Sequence, residues 1–248
     1  MKAVLLVGGL GTRLRPAVPS LPKALASVGG RPFLELLVRQ LGAQGIRHLV
    51  MSTGYLAEQV EEVFGDGSHF GATIEYSKET VPLGTAGALK LAQRCVQNES
   101  EFLVINGDTF LEIDFNEFVL SHQKHGGVAT MAVVPVKNSG RYGTVQVGAD
   151  GRIVGFLEKT GQNTPGVINA GVYAFSNVTL ALIAQGPVSL ERDVFPLLVD
   201  QGFYAVEQRG MFIDIGTPDD YARAKKMYDR LADAAFYGRD GVPPVVTS

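Results

Sequence analysis

A chain of 248 residues, 46% of them hydrophobic, has material for one large core or two small ones, and its net charge of −3 leaves no basic surplus. With an isoelectric point near 5.8 it does not read as a nucleic-acid binder, although a local cationic cluster can still hold a small anion inside an acidic protein. The single cysteine, Cys95, excludes a disulfide framework and a thiolate metal cluster and is read as a packing residue.

Lys2 to Val7 is an unalternating apolar run, as expected of a parallel strand buried on both faces. One lysine and five apolar residues before Gly8-Gly9 are too few for a signal peptide or a membrane span, so a cytoplasmic protein without a membrane partner is expected. The strand empties into Gly8-Gly9-Leu10-Gly11-Thr12-Arg13-Leu14-Arg15-Pro16, with Pro22-Lys23 beyond, inside a loop that lasts to Gly30. Glycines allow backbone N–H groups to approach a ligand, and clustered N–H groups with cations suit a polyphosphate. Two familiar phosphate fingerprints fail here. Counting from Gly9, a dinucleotide motif needs a glycine where Leu14 stands, and a Walker A loop needs Gly-Lys-Ser/Thr where Pro22-Lys23 stands.

Pro32 opens a helix, Phe33 to Gln44, with apolar residues at helical spacing. A strand at His48 to Ser52, a helix at Leu56 to Phe64 and a strand at Thr73 to Tyr76 follow, a β-α-β-α-β order that predicts a parallel sheet. Pro82-Leu83-Gly84-Thr85-Ala86-Gly87 then runs into a helix to Cys95, either an ordinary capped start or an anion and base-edge site. The next strand, Glu101 to Ile105, ends in Asn106-Gly107-Asp108-Thr109, which places Asp108 where open α/β sheets bind ligands. A helix follows at Asp114 to Lys124.

From Val128 the pattern changes to strands at Val128–Val136, Gly143–Val147, Ile153–Phe156 and Val167–Phe175, read as an antiparallel insertion beside the parallel sheet. A helix at Leu190 to Asp200 and a strand at Tyr204 to Glu207 lead to Asp214-Ile215-Gly216-Thr217-Pro218. Thr217 caps a helix to Leu231 with Pro218 at its first position, so Asp214 is free for chemistry. His48, His69, His122 and His125 read as surface or packing residues. The two aspartates could serve as a glycosidase acid and base or hold a hard divalent cation; the phosphate-type loop favours the cation.

These motifs, in this order, resemble the sugar-1-phosphate nucleotidyltransferase family over Lys2 to about Lys226. Gly8-Gly9-x-Gly11-Thr12-Arg13-Leu14 with Pro22-Lys23 is similar to its signature. Asn106-Gly107-Asp108 and Asp214-Ile215-Gly216-Thr217-Pro218 are similar to its metal motifs, and Tyr142-Gly143, Glu158-Lys159 and Asn169-Ala170-Gly171 to its sugar-phosphate pocket. Two departures, Ala24 and Pro16-Ala17-Val18, alter the loop around the triphosphate. The resemblance implies a Rossmann-like, GT-A-type three-layer α/β sandwich, with a mostly parallel central sheet and a small antiparallel sugar-binding insertion. Residues 1–235 would form a single domain, nucleotide half about 1–127 and sugar-phosphate half about 128–235, with 236–248 a tail. No acyltransferase module of hexapeptide repeats is expected.

The implied reaction is attack by a sugar 1-phosphate on the α-phosphorus of a nucleoside triphosphate, with release of pyrophosphate. Such a phosphate is already mostly anionic at pH 7, so no protein general base is required. By resemblance, Leu6, Gly8, Gly9, Gly11, Thr12, Arg13, Lys23, Gly84, Thr85, Asn106 and Asp108 hold the nucleotide. Arg13 and Lys23 are catalytic, Gly143, Glu158, Lys159 and Asn169 hold the sugar phosphate, and Asp108 and Asp214 hold Mg²⁺. Pro32-Phe33-Leu34-Glu35, Gln44-Gly45-Ile46 and Asn106-Gly107-Asp108-Thr109-Phe110 resemble the heptose 1-phosphate guanylyltransferase branch, which implies GTP as donor and GDP-heptose, a precursor of capsule, lipopolysaccharide or S-layer glycans, as product. A mannose-1-phosphate guanylyltransferase and uridylyl, thymidylyl or cytidylyl relatives are the alternatives. A glycosyltransferase would carry Asp-x-Asp where Asn106 begins the motif, and a non-catalytic sensor would have lost Arg13, Lys23 or an aspartate. Small-molecule substrates are the expected partners, and a homo-oligomer is compatible with them.

Overall fold

The structure, a computed structural model, describes residues 1–140, 142–157 and 164–237. Strands β1 (Lys2–Leu6), β2 (Ser27–Val28) and β3 (Arg31–Pro32) precede helix α1 (Phe33–Ala43). There follow β4 (His48–Thr53), α2 (Ala57–Phe64), β5 (Thr73–Lys78), α3 (Gly84–Leu91), α4 (Gln93–Val96), β6 (Glu101–Asn106), β7 (Thr109–Leu111) and α5 (Phe115–His125). The second half holds β8 (Ala129–Val136), β9 (Thr144–Val147), β10 (Ile153–Leu157), β11 (Gly166–Ser176), α6 (Phe195–Val199), β12 (Phe203–Glu207), β13 (Phe212–Asp214), α7 (Pro218–Lys226) and α8 (Tyr228–Tyr237).

The expected parallel core is present: β6, β1, β4 and β5 lie side by side in one direction. Their alternation is two-sided. Ala3 and Leu5 of β1 belong to one buried core with Leu37 of α1, Phe64 of α2 and Phe118 of α5, whereas Val4 belongs to a second with Leu89 of α3 and Leu198 of α6. Apolar side chains on both faces of a strand demand helices on both faces of the sheet, which is the three-layer arrangement.

The antiparallel strands do not form a body packed beside this sheet. They continue it: β11 runs antiparallel to β6, β8 to β11, and β12 closes that side parallel to β8, within one nine-stranded sheet. An irregularity between Asn169 and Tyr173 bends β11, so its first half leaves β6 and meets β9 at Ile168↔Thr144. The expected helix from Gly84 to Cys95 breaks at Ala92, the one expected at Leu190 to Asp200 opens as a π-type turn at Leu190–Val194, and that after Thr217 breaks at Met227. At the last of these joints the two halves pack on different partners, α7 on β13 and α8 on α1.

His122, read from sequence as surface or packing, is buried in α5, 2.9 Å from Thr130 Oγ1 and 3.2 Å from Ser176 Oγ. Burial lowers its pKa against the raising influence of Glu101. The unfolded chain therefore binds this proton more readily, and stability falls as pH drops through the ordinary histidine range. The melting temperature is expected to fall from pH 7.5 to 5.5, with His122 contributing at most about 1.4 kcal/mol per pH unit. His122→Asn is expected to flatten that slope; an unchanged slope would remove His122 as its source.

Candidate active site

A cleft of about 540 Å³ opens at the carboxyl ends of the parallel strands, where α/β sheets bind ligands. Its floor begins with Leu6 at the end of β1. Leu14 and Arg15 both turn their N–H groups onto the Gly11 carbonyl, at 2.9 and 3.1 Å, and curl the loop above the strand. Among the described residues, the N–H groups of Gly8 to Arg13 are donated to no backbone carbonyl, so they remain available to a ligand. Arg13 itself is exposed at the rim.

The two aspartates expected to work together are brought together by a two-stranded antiparallel ladder between distant segments that sequence patterning did not reveal. β13 pairs antiparallel with β7, setting Asp214 opposite Thr109, and Ile215 N–H donates to the Asp108 carbonyl at 3.0 Å. β7 is held in turn by α1. Gln40 donates to the Leu111 carbonyl at 2.7 Å, and Gln44 both donates to Ile113 and accepts from Phe115. The buried Gln40 amide of α1 and the half-buried Gln44 amide that caps it thus satisfy the backbone of the segment just after Asp108.

Lys23 closes the arrangement. Its ammonium pairs with Asp108 Oδ2 and lies 3.7 Å from Asp214 Oδ1, and its side chain is only 12% exposed. Gly216 permits this approach, because a Cβ there would lie 2.8 Å from Asp214 Oδ1 and 3.2 Å from Lys23 Nζ. Burial raises the Asp214 carboxyl above its ordinary range, and the neighbouring Asp108 raises it further while Lys23 opposes. One ammonium thus serves two carboxylates beside an anion cradle, a site short of positive charge.

Eleven residues expected to hold a nucleotide, Leu6, Gly8, Gly9, Gly11, Thr12, Arg13, Lys23, Gly84, Thr85, Asn106 and Asp108, all line this one cleft. Gly84 and Thr85 form the first turn of α3; Thr85 Oγ1 donates to Glu191 at 3.0 Å and accepts from Leu190 N–H at 2.8 Å. The residues expected at the sugar sit elsewhere. Gly143 precedes β9, and Asn169 uses its amide inside β11, donating to Tyr173 Oη and accepting from Gly171 N–H, each at 2.8 Å. Neither is among the residues that line the cleft, and Glu158 and Lys159 fall outside the described residues.

Two carboxylates in the cleft wall, Glu79 and Glu191, were missed from the sequence. Glu79 directly follows β5, which runs two residues beyond the expected Tyr76, so it stands at a strand end just as Asp108 does. Among the described residues no group of three or more His, Cys, Asp and Glu side chains forms a ready metal cluster, and no helix is long and apolar enough to cross a membrane.

Comparison with known proteins places the chain in a family context. A family model described as Nucleotidyl transferase matches residues 2–230. The D-glycero-alpha-D-manno-heptose 1-phosphate guanylyltransferase of Aneurinibacillus thermoaerophilus is 40% identical over 228 residues, covering 91% of this chain and 97% of that protein. The mannose-1-phosphate guanylyltransferase catalytic subunit beta of Danio rerio is 38% identical over 232 residues; that match covers 92% of this chain but 64% of the fish protein, so the chain spans less than two thirds of that relative. Among solved structures, HddC from Yersinia pseudotuberculosis in its complex with GMP-PN superposes with a TM-score of 0.83 at 32% identity, covering 92% of this chain and 99% of HddC.

Proposed function

The chain belongs to the nucleotidyl transferase family, and we propose that it transfers a nucleotidyl group, GMP in the favoured case, from a nucleoside triphosphate to a sugar 1-phosphate with release of pyrophosphate. The observation that carries this reading is Lys23 held between Asp108 and Asp214 directly beside the free N–H loop Gly8 to Arg13, with Lys23, Asp108 and the loop lining one cleft. In this reading residues 1–235 act as one unit, with the nucleotide on the 1–127 half and the sugar phosphate on the 128–235 half.

The Gly8 to Thr12 backbone binds the triphosphate, and Arg13 neutralises the outer phosphates and the departing pyrophosphate. Lys23 orients the α-phosphate and the incoming sugar phosphate toward each other. Transfer of this kind is dominated by positioning and charge neutralisation, which are the capacities of these groups. Asp108 and Asp214 fit Mg²⁺, a hard cation usually held by one or two carboxylates and completed by phosphate oxygens. When bound, Mg²⁺ would supply charge neutralisation at the phosphate oxygens that one ammonium shared between two carboxylates cannot. Gly143, Glu158, Lys159 and Asn169 are assigned to the sugar phosphate by family resemblance. A heptose 1-phosphate is the favoured acceptor and mannose 1-phosphate the alternative, on the strength of the two curated relatives.

Glu79 supports guanine as the base. Its Oε1 stands 2.6 Å from the position a Cβ would take on Gly8, and its Oε2 accepts Leu83 N–H at 2.7 Å. An ionised carboxylate only accepts hydrogen bonds. Guanine offers it adjacent N1–H and N2–H donors, whereas uracil and thymine offer one N–H flanked by two carbonyl oxygens that repel it. The deciding experiment is a matrix of GTP, CTP, UTP, dTTP and ATP against heptose, mannose and glucose 1-phosphates, read by pyrophosphate release. GTP with a manno-configured sugar is expected to dominate; no sugar-dependent release with any pair would overturn the reading. Glu79→Gln is expected to lower the GTP-to-UTP ratio of kcat/KM by about 10- to 100-fold, as for a lost hydrogen bond to a charged group. An unchanged ratio would clear Glu79 of base selection.

A further inference from the structure

The residues assigned to the reaction do not hold Lys23 by themselves. Lys23 sits in a short 3₁₀ turn that leads directly into the β2–β3 hairpin, where Val28 pairs with Arg31 across Gly29 and Gly30. Both glycines have positive φ, +62° and +81°, as a two-residue hairpin turn requires. This hairpin is clamped from outside by the two C-terminal helices. Tyr221 of α7, 8% exposed, donates its hydroxyl to the Ser27 carbonyl at 2.7 Å, four residues beyond Lys23. The ring of Tyr228, at the start of α8, lies against Gly29 so closely that a Cβ there would stand 2.2 Å from it.

The same α7 begins four residues after the second aspartate. Asp214 ends β13, Gly216 N–H donates to its carboxylate, and Thr217 caps α7 by accepting Asp220 N–H at 3.3 Å. A closed circuit results. Lys23 pairs with Asp108, the Asp108 carbonyl accepts Ile215 N–H, α7 starts three residues on, and Tyr221 returns through Ser27 to the Lys23 segment.

We propose that Tyr221 is a positioning residue, which, supported by Tyr228, fixes the Lys23 backbone at the distance from Asp214 that keeps the ammonium between the two carboxylates. The proposal rests on the function proposed above for Lys23. It differs from a generic structural role because the bond fixes one distance, between the segments of Lys23 and Asp214, and a small misplacement of a reacting group is costly in rate.

The test compares Tyr221→Phe with Tyr76→Phe. Tyr76 makes the same kind of bond, its hydroxyl donating to the Gly65 carbonyl at 2.7 Å, between β5 and α2 and outside the cleft lining. Tyr221→Phe is expected to lower kcat by about tenfold with both KM values unchanged and a melting temperature matching that of Tyr76→Phe, which keeps wild-type kcat. A kcat equal to that of Tyr76→Phe, or a loss confined to KM, would overturn the proposal. Trace acetylation with acetic anhydride, read at Lys23 by mass spectrometry, needs no turnover. Labelling is expected to rise in Tyr221→Phe and in Tyr228→Ala, which removes the ring that lies against Gly29; labelling as in wild type in both would overturn the proposal. A wild-type protein without sugar-dependent pyrophosphate release would instead sink the proposed function, and the labelling would still decide the clamp.

Discussion

Lys23→Ala is expected to lower pyrophosphate release in the presence of sugar 1-phosphate by about 10²–10³ in kcat, the usual cost of removing a preorganised charge stabiliser. The ammonium is paired with Asp108, 3.7 Å from Asp214 and 12% exposed. Its loss leaves two carboxylates facing the approaching phosphates without the protein's own counter-charge. The loop Gly8 to Arg13 is untouched, so nucleotide is still expected to bind, and titration with a fluorescent nucleotide separates the two effects. Lys23→Arg is not expected to rescue, because the planar guanidinium fork is bulkier than an ammonium already packed against Gly216 and Asp214. Wild-type kcat in Lys23→Ala would remove this residue from the mechanism.

Asp108→Asn is the second large effect, also expected to cost about 10²–10³ in kcat. The substitution keeps the shape and removes the charge. It leaves the β7–β13 ladder and the Ile215 N–H bond to the residue 108 carbonyl in place, since both are made by backbone. The melting temperature is therefore expected to change little while activity collapses. The remaining activity is expected to need more Mg²⁺, which a titration of the metal at saturating nucleotide measures. Purified Asp108→Asn with wild-type pyrophosphate release in Mg²⁺ would show that this carboxylate holds no metal.

Much of the site was legible because it obeys local rules. The strand-to-glycine-loop junction at Val7-Gly8, the aspartate just beyond β6 and the capped start of α7 at Thr217 are each short-range signals, readable within a dozen residues. The parallel core was legible for the same reason, since two-sided burial writes unbroken apolar runs such as Ala3 to Leu6 into the chain.

What escaped depends on partners far away in sequence. β7 and β13 are three residues each, too short for periodicity to declare them, and they are strands only because each meets the other. Asn169 matches a pocket motif, and what the motif does not carry is its setting: its amide bonds Tyr173 and Gly171 where β11 passes from β6 to β9. Glu79 and Tyr221 carry no local mark of function. One acquires its place from the approach of Gly8, the other from Ser27, 194 residues away in sequence.

The sequence by itself determined the parallel β-α-β order of the sheet core, the glycine-rich character of the first loop and the strand-end position of Asp108 with Asp214 left over by the Thr217 cap, because hydrophobic period, glycine backbone freedom and helix capping act within a few residues. Only the tertiary structure decided that those aspartates share one ammonium, that the antiparallel strands extend the same sheet and that the C-terminal helices clamp the lysine segment. Each of those outcomes is a pairing of distant backbone and charge, set by which surfaces the closed core brings within hydrogen-bonding distance, and no local pattern encodes that distance.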